Sequence, residues 1–370
     1  MNLSYWEYNT WLSNIDFTIV GSGIVGLNCA LYLKEKYPKA KILILEKGVL
    51  PQGASTKNAG FACFGSISEI LADLKTHSEE QVLQLVQKRW DGVQLLRKNL
   101  GDKNIDFQNH GGHEVFTQQE EVLFENCIKN LELINQLLSP VFKGDSFKKH
   151  TNTFNFKGIQ DHYITSDFES QIDTGKMMDT LLKKVQKKGV RILNAITVES
   201  FVENVESVQV KTNLFEFTTK KFLIATNGFA STLINEDIKP ARAQVLITKP
   251  IQNLHIKGTF HVDEGYYYFR NIGNRILFGG GRNLDFKGEE TMTFGETSLI
   301  QLQLESMLKD MILPETPFEI EQRWSGIMGM GVQKRPIIQQ LSNHTFCGIR
   351  LGGMGIAIGS IVGKELAELV

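Results

Sequence analysis

The chain has 370 residues, enough for two packed domains, and its 42% hydrophobic and 22% charged residues are those of an ordinary globular protein. A net charge of −1 excludes a global basic field for nucleic acid or for an anionic membrane surface. Four cysteines without a Cys-x-x-Cys pair, no apolar run of the roughly 18 residues a transmembrane segment needs, and no early lysine or arginine predict a cytoplasmic protein. It should have no disulfide framework, no metal site and no signal peptide.

Residues 1–15 are rich in aromatics, and Tyr5, Trp6 and Trp11 are expected to pack back onto the body. Phe17-Thr-Ile-Val20 then reads as a buried strand that enters Gly21-Ser22-Gly23-Ile24-Val25-Gly26 and leaves as a helix to about Lys36, with Pro38 beyond its end. In such a turn the first glycine makes the bend, the second admits a pyrophosphate to the backbone, and the third lets helix pack on strand. The helix N-terminus offers its free N–H groups to the phosphates. Lys41–Leu45 is a nearly continuous apolar strand, as in a parallel sheet covered on both faces. It ends at Glu46, beside Lys47 and twenty residues past Gly26, where an acid accepts hydrogen bonds from ribose hydroxyls and disfavours a 2′-phosphate. The small-residue stretch from Gln52 to Ala62 offers the hydroxyls of Ser55 and Thr56, with bare backbone at Asn58-Ala59-Gly60, to a second section of an extended cofactor.

Helices are expected over 78–100, 120–138 and 173–188, the last stopped by Gly189. Residues 105–118 read as a hairpin whose His110 and His113 are turn histidines, two ligands being too few for a metal. A second buried strand, Lys221–Ala225, ends in Thr226-Asn227-Gly228, and residues 241–283 look antiparallel, with a hairpin around Asn271–Asn274. In that hairpin Tyr267 and Phe269 share one face, and Tyr266, Tyr268 and Arg270 share the other. The chain closes with a strand, the cluster Gly352-Gly353-Met354-Gly355-Ile356, and a last helix.

Taken in order, Gly21–Gly26 with Glu46, Ser55–Gly60, Ala225–Gly228, Trp324-Ser325-Gly326 and Gly352–Gly355 resemble the FAD-dependent amine and amino-acid oxidase family. This is the group that includes D-amino-acid oxidase, glycine oxidase and sarcosine oxidase. The resemblance implies an α/β plus antiparallel β fold: a discontinuous Rossmann-like FAD-binding domain (16–75, 162–235, 321–370) and a mixed or antiparallel substrate domain (76–161, 236–320). It implies that Ser55, Thr56, Asn58, Ala59 and Gly60 run along the pyrophosphate and beside the flavin, that Val198, Ala225, Thr226 and Gly228 meet the adenosine half, and that Gly326 and Gly353 to Ile356 border the flavin ring. The implied reaction is oxidation of a C–N bond by hydride transfer to flavin N5, with O2 or another acceptor taking the electrons.

The departures are equally informative. Met328 and Gly353 stand where arginines would pair a substrate carboxylate, which leaves Arg242, Arg270, Lys334 and Arg350 as cationic candidates and Tyr267 as a substrate-facing tyrosine. No cysteine lies at 326–328, so the FAD is expected to be non-covalent. No lysine near Leu277-Phe278 matches the oxygen-activating lysine of sarcosine oxidase, and several segments look closer to the branch that oxidises γ-glutamylputrescine. Two other readings stand beside this one. A 2-hydroxy-acid or glycerol-phosphate dehydrogenase would need a base such as His110, His113 or His261, and a catalytically inactive flavin-binding protein would need none.

Overall fold

The first strand, Ile15–Val20, is the centre of an eight-stranded sheet in the computed structural model, which describes residues 2–370. It pairs in parallel with Ile42–Leu45 on one side and Glu216–Ile224 on the other. Arg191–Leu193 and Thr345–Ile349 continue the parallel core outward, so segments from the start, middle and end of the chain form one layer. Both faces are covered, which is why these strands are apolar without alternation.

One face carries the helices Ile24–Lys36, Glu79–Leu100, Thr174–Lys187 and Gly355–Glu368, which share a single core with the sheet. The helix Glu79–Leu100 starts in a capping box of Ser78 and Gln81 and buries Val82, Val86, Val93, Leu96 and Leu100 along one stripe. It and the first helix approach the last helix through glycine. A Cβ on Gly92 would lie 1.9 Å from the Ala357 carbonyl oxygen, and one on Gly363 would lie 2.6 Å from that of Val25. The first and last helices are thus fastened together beside the glycine turn.

The second eight-stranded sheet runs in the order Ile320–Met330, Lys239–Thr248, Arg275–Gly280, Tyr267–Ile272, Thr259–Val262, Gly112–Val115, His162–Ser166, Lys148–Thr151. It is antiparallel except for Thr259–Val262 against Gly112–Val115. Several expectations are corrected by this topology. Residues 105–118 form no hairpin, because Gly112–Val115 pairs with two distant strands. The boundaries at 162 and 321 would cut off His162–Ser166 and Ile320–Met330, both members of the second sheet. Tyr5 and Trp6 of the N-terminal arm do not pack back; they are 70% and 72% exposed, and the arm enters the core through Leu12 and Ile15, with Leu3 packed against that core.

Candidate active site

The turn after the first strand is built by close approach. Gly21 has φ +101°, and a Cβ there would sit 2.8 Å from the Ala225 carbonyl oxygen. A Cβ on Gly26 would lie 2.1 Å from the Gly21 carbonyl oxygen. The helix that follows is capped by Gly23, which has no side chain to bond the helix, and the Ile24 N–H donates instead to Ser55 Oγ at 2.9 Å. Ser55 therefore does the work of an N-cap from a neighbouring loop. Replacing Ser55 with Ala should cost about 1 kcal/mol in a denaturant titration. The buried Glu46 carboxylate accepts from the Ser22 N–H at 3.0 Å, the Ser22 hydroxyl at 2.7 Å and the Gly48 N–H at 2.9 Å, which fixes the second strand's end against the turn.

The loop after the second strand is held by Asn58. Its amide donates to the Ala54 and Ser55 carbonyls and accepts from the Gly60 N–H and the Thr174 hydroxyl. Trp324 Nε1 donates to the Lys57 carbonyl at 2.9 Å and pins this loop to the second sheet. At the far end, the last helix opens without a side-chain cap at Met354, and Cβ atoms at Gly352, Gly353 and Gly355 would meet nothing. The first N–H groups of this helix have no intrahelical partners.

These segments enclose one cavity of about 640 Å³. Gly21, Gly23, Ile24, Val25, Glu46 and Lys47 line one end. Ser55, Asn58, Ala59, Gly60, Val198, Ala225 and Thr226 follow, and Gly326, Met328 and Gly353 to Ile356 complete it. Thr226 Oγ1 is buried there with no hydrogen-bond partner. A cradle that only glycine admits, an uncapped helix end and an unpaired hydroxyl suit an elongated ligand bearing phosphates and a ribose.

Gly26, Thr56, Gly228, Tyr267, Arg270 and Arg242 lie off the cavity lining, whereas Lys334 and Arg350 are on it. Gly26 packs under the turn, and Thr56 turns its hydroxyl back to the Pro51 carbonyl. A Cβ on Gly228 would meet the Met328 carbonyl at 2.3 Å, so this glycine serves packing against the strand Ile320–Met330. Tyr267 faces the core of the second sheet and is 5% exposed. Arg270 is buried and donates to the Ile172 carbonyl. Strand parity puts Tyr268 on the cavity instead of Tyr267. The other cationic candidates are committed elsewhere: Arg350 to Asp237 and the Arg335 carbonyl, Arg242 to Glu289, Lys334 to Asp73.

Cys63, Glu69, Arg89, His261, Tyr268 and Arg282 also line the cavity, and of these the sequence offered only His261 as a candidate. His261 Nε2 lies 3.0 Å from a Glu169 carboxylate oxygen, and the Cys63 sulfur is close enough that the three ligand-type atoms fall within 4.8 Å of one another. Burial disfavours a charged His261, but the Glu169 carboxylate, with Glu69 and Glu114 beyond it, overcomes this and lifts the imidazole to about 9. Burial pushes the Cys63 thiol well up. The trio is thus an imidazolium–carboxylate pair beside a neutral thiol. His113 is off the cavity lining, bonded to Thr165 and pushed down to about 4 chiefly by burial, and His110 is on the surface.

Residues 16–369 match the family DAO, described as FAD dependent oxidoreductase. The chain is 22% identical to the probable oxidoreductase OrdL of Haemophilus influenzae, covering 98% of this chain and 84% of that protein. It is 20% identical to the γ-glutamylputrescine oxidoreductase of Escherichia coli, covering 96% and 83%. Among solved structures, glycine oxidase from Geobacillus kaustophilus superimposes with a TM-score of 0.76 at 16% identity, over 96% of this chain and 94% of the other. L-proline dehydrogenase from P. horikoshii superimposes with a TM-score of 0.75 at 18% identity, over 96% and 93%. The chain is therefore an FAD-dependent enzyme, and it belongs to the DAO family of FAD-dependent oxidoreductases.

Proposed function

We propose that the enzyme oxidises a C–N bond of an amine or amino acid, with FAD held non-covalently. The pyrophosphate would lie over Gly21 to Val25 with the Ser55 hydroxyl beside it, the ribose would meet Glu46, and Thr226 would take a hydrogen bond from the adenosine half. The uncapped N–H groups at Gly355 and Ile356 would face the pyrimidine end, where a helix terminus favours negative charge. Bound FAD supplies the hydride acceptor, flavin N5. The chain's own contribution is to orient the substrate and to exclude water with the apolar walls that Val245, Met292 and Met328 bring to the cavity. The four thiols are all unpaired and buried, which supports a cytoplasmic setting.

The state of His261 carries this reading against a hydroxy-acid dehydrogenase. A hydroxyl substrate must give its proton to a base, whereas an amine that arrives neutral needs none. His261 is the one histidine on the cavity lining among the described residues, and its bond to Glu169 keeps it protonated at neutral pH. Anaerobic mixing of the yellow holoenzyme with panels of amines and of 2-hydroxy acids tests it. Amines should bleach the flavin and hydroxy acids should not. Bleaching by hydroxy acids alone, or by neither panel, would overturn the proposal, and admitting air afterwards reads whether O2 takes the electrons.

A further inference from the structure

Three cations of the cavity wall have no hydrogen-bond or ion-pair partner among the described residues, Lys47, Lys57 and Arg282; Lys47 follows Glu46 at the end of the second strand, Lys57 lies over the Phe294 ring, and Arg282 is the one with a planar, forked guanidinium. Its guanidinium carbon lies 4.7 Å from the centre of the Phe286 ring, which Tyr266 meets edge-on at 5.8 Å. The carboxylates whose charge acts on it are engaged by others: Glu289 by Arg242 and Gln244, Glu290 by Lys239. A half-buried guanidinium with its donors unpaired loses hydration without compensation, and a planar carboxylate restores it through two parallel hydrogen bonds.

The sheet register places this group. Ser325, Gln244 and Gly280 lie side by side across three adjacent strands. Gly280 thus stands two strand spacings, about 10 Å, from Ser325. Gly281, at φ +77°, then turns the chain out of the sheet so that Arg282 begins a short helical turn at the level of Ile327. Arg282 leaves the sheet well to the side of Met328 and shares the cavity rim with the exposed Glu264 and Tyr266.

We infer that Arg282 receives a carboxylate at the far end of the substrate, so that the substrate is an amine whose anionic group is separated from the oxidised C–N bond by a spacer of several bonds. This rests on the reading of the site as an amine-oxidising one. A short α-amino acid held at the reacting end would leave Arg282 unsatisfied, and a plain alkylamine would as well.

The test uses straight-chain ω-amino acids from glycine to 8-aminooctanoate, alkylamines of matching length, and pentanoate as a non-reacting probe. Wild-type holoenzyme should be reduced by the longer ω-amino acids with at least tenfold greater efficiency than by glycine or by the matching alkylamines. Pentanoate should perturb the flavin absorbance as it binds. Arg282→Met should weaken pentanoate and ω-amino acids ten- to a hundredfold and leave alkylamines unchanged, and Arg282→Lys should recover part of the loss. Flavin content and melting temperature of both variants establish that they fold. Equal use of alkylamines and ω-amino acids by wild type, or unchanged pentanoate affinity in Arg282→Met, would overturn the inference. If no amine reduces the flavin while pentanoate binding still depends on Arg282, the assigned reaction fails and the anion site stands.

Discussion

Gly26→Ala is expected to give a colourless protein. The added methyl would lie 2.1 Å from the Gly21 carbonyl oxygen and 3.2 Å from Ile19 Cγ2. Carbon in van der Waals contact needs about 3.5 Å. The obstructing oxygen belongs to the backbone of the turn itself and cannot rotate aside, so the helix must lift from the strand, which takes the Gly23–Val25 amides out of place. Overpacking at such a point costs about 3 kcal/mol or more. The control is Gly175→Ala, exposed in the first turn of the helix Thr174–Lys187 and off the cavity lining, whose methyl would meet only Asp173 Oδ1, at 3.3 Å. That variant should stay yellow and melt at or slightly above the wild-type temperature, since removing a glycine restricts the unfolded chain. Flavin absorbance per chain and a thermal melt measure both. A yellow Gly26→Ala protein with wild-type stability would contradict the packing described here.

Glu169→Ala is the second large effect, and it depends on pH. The carboxylate is almost completely buried and holds the His261 imidazolium at 3.0 Å. Removing one partner of a buried pair costs about 3–5 kcal/mol, because the other is left without compensation. His261 is raised from 6.5 to about 9 in the folded protein, so the native state holds a proton there that the unfolded chain releases. The stability this contributes is complete below the unfolded value and disappears as pH rises from 6.5 through about 9. Glu114, raised to about 7 chiefly by burial, works in the same direction but lower: its contribution declines from 4.5 through 7. Between pH 7.5 and 9.5 the four buried thiols, raised above the usual thiol value, also lose stability as the unfolded chain ionises, but they do so in both proteins, so the difference between wild type and variant in denaturant titrations reports His261. The gap between wild type and Glu169→Ala should narrow steadily across that range. In the variant burial dominates, and the imidazole should titrate well below its wild-type value by NMR. A gap that does not change with pH would show that the pair is not charged.

The parts of the site that could be read in the chain are those where a local backbone requirement selects the residue. Gly21 to Gly26, the loop 55–60, the turn 225–228 and the cluster 352–355 each leave their mark within a few residues, because a tight bend or an open helix end admits few side chains. The second sheet left weaker marks. Ile320–Met330 has the apolar character of either sheet, and only its hydrogen bonds to Lys239–Thr248 decide between them. Tyr267 and Tyr268 differ by one step of strand parity, and a single-residue shift exchanges core and cavity. Cys63, Glu169 and His261 are nearly two hundred residues apart at their extremes and are joined by pairing of distant strands, Phe61–Ala62 with Ser170–Gln171 and Thr259–Val262 through Gly112–Val115 to His162–Ser166, which no spacing rule encodes. Arg282 did have a signal: it follows three consecutive glycines, Gly279 to Gly281, an unusual approach for a strand.

The fastening of the first helix to the last also sets the order of events during synthesis. A ribosome releases Gly21–Gly26 early and Gly352–Ile356 only after some three hundred further residues. Until Gly359 and Gly363 seat against Ile24 and Val25, the cradle lacks its far wall. Closing so long a loop adds little entropy beyond that of a shorter one, so the delay comes from translation and not from the search. The cradle therefore cannot close before the last helix has been made, and until then the nascent chain carries only a half-site.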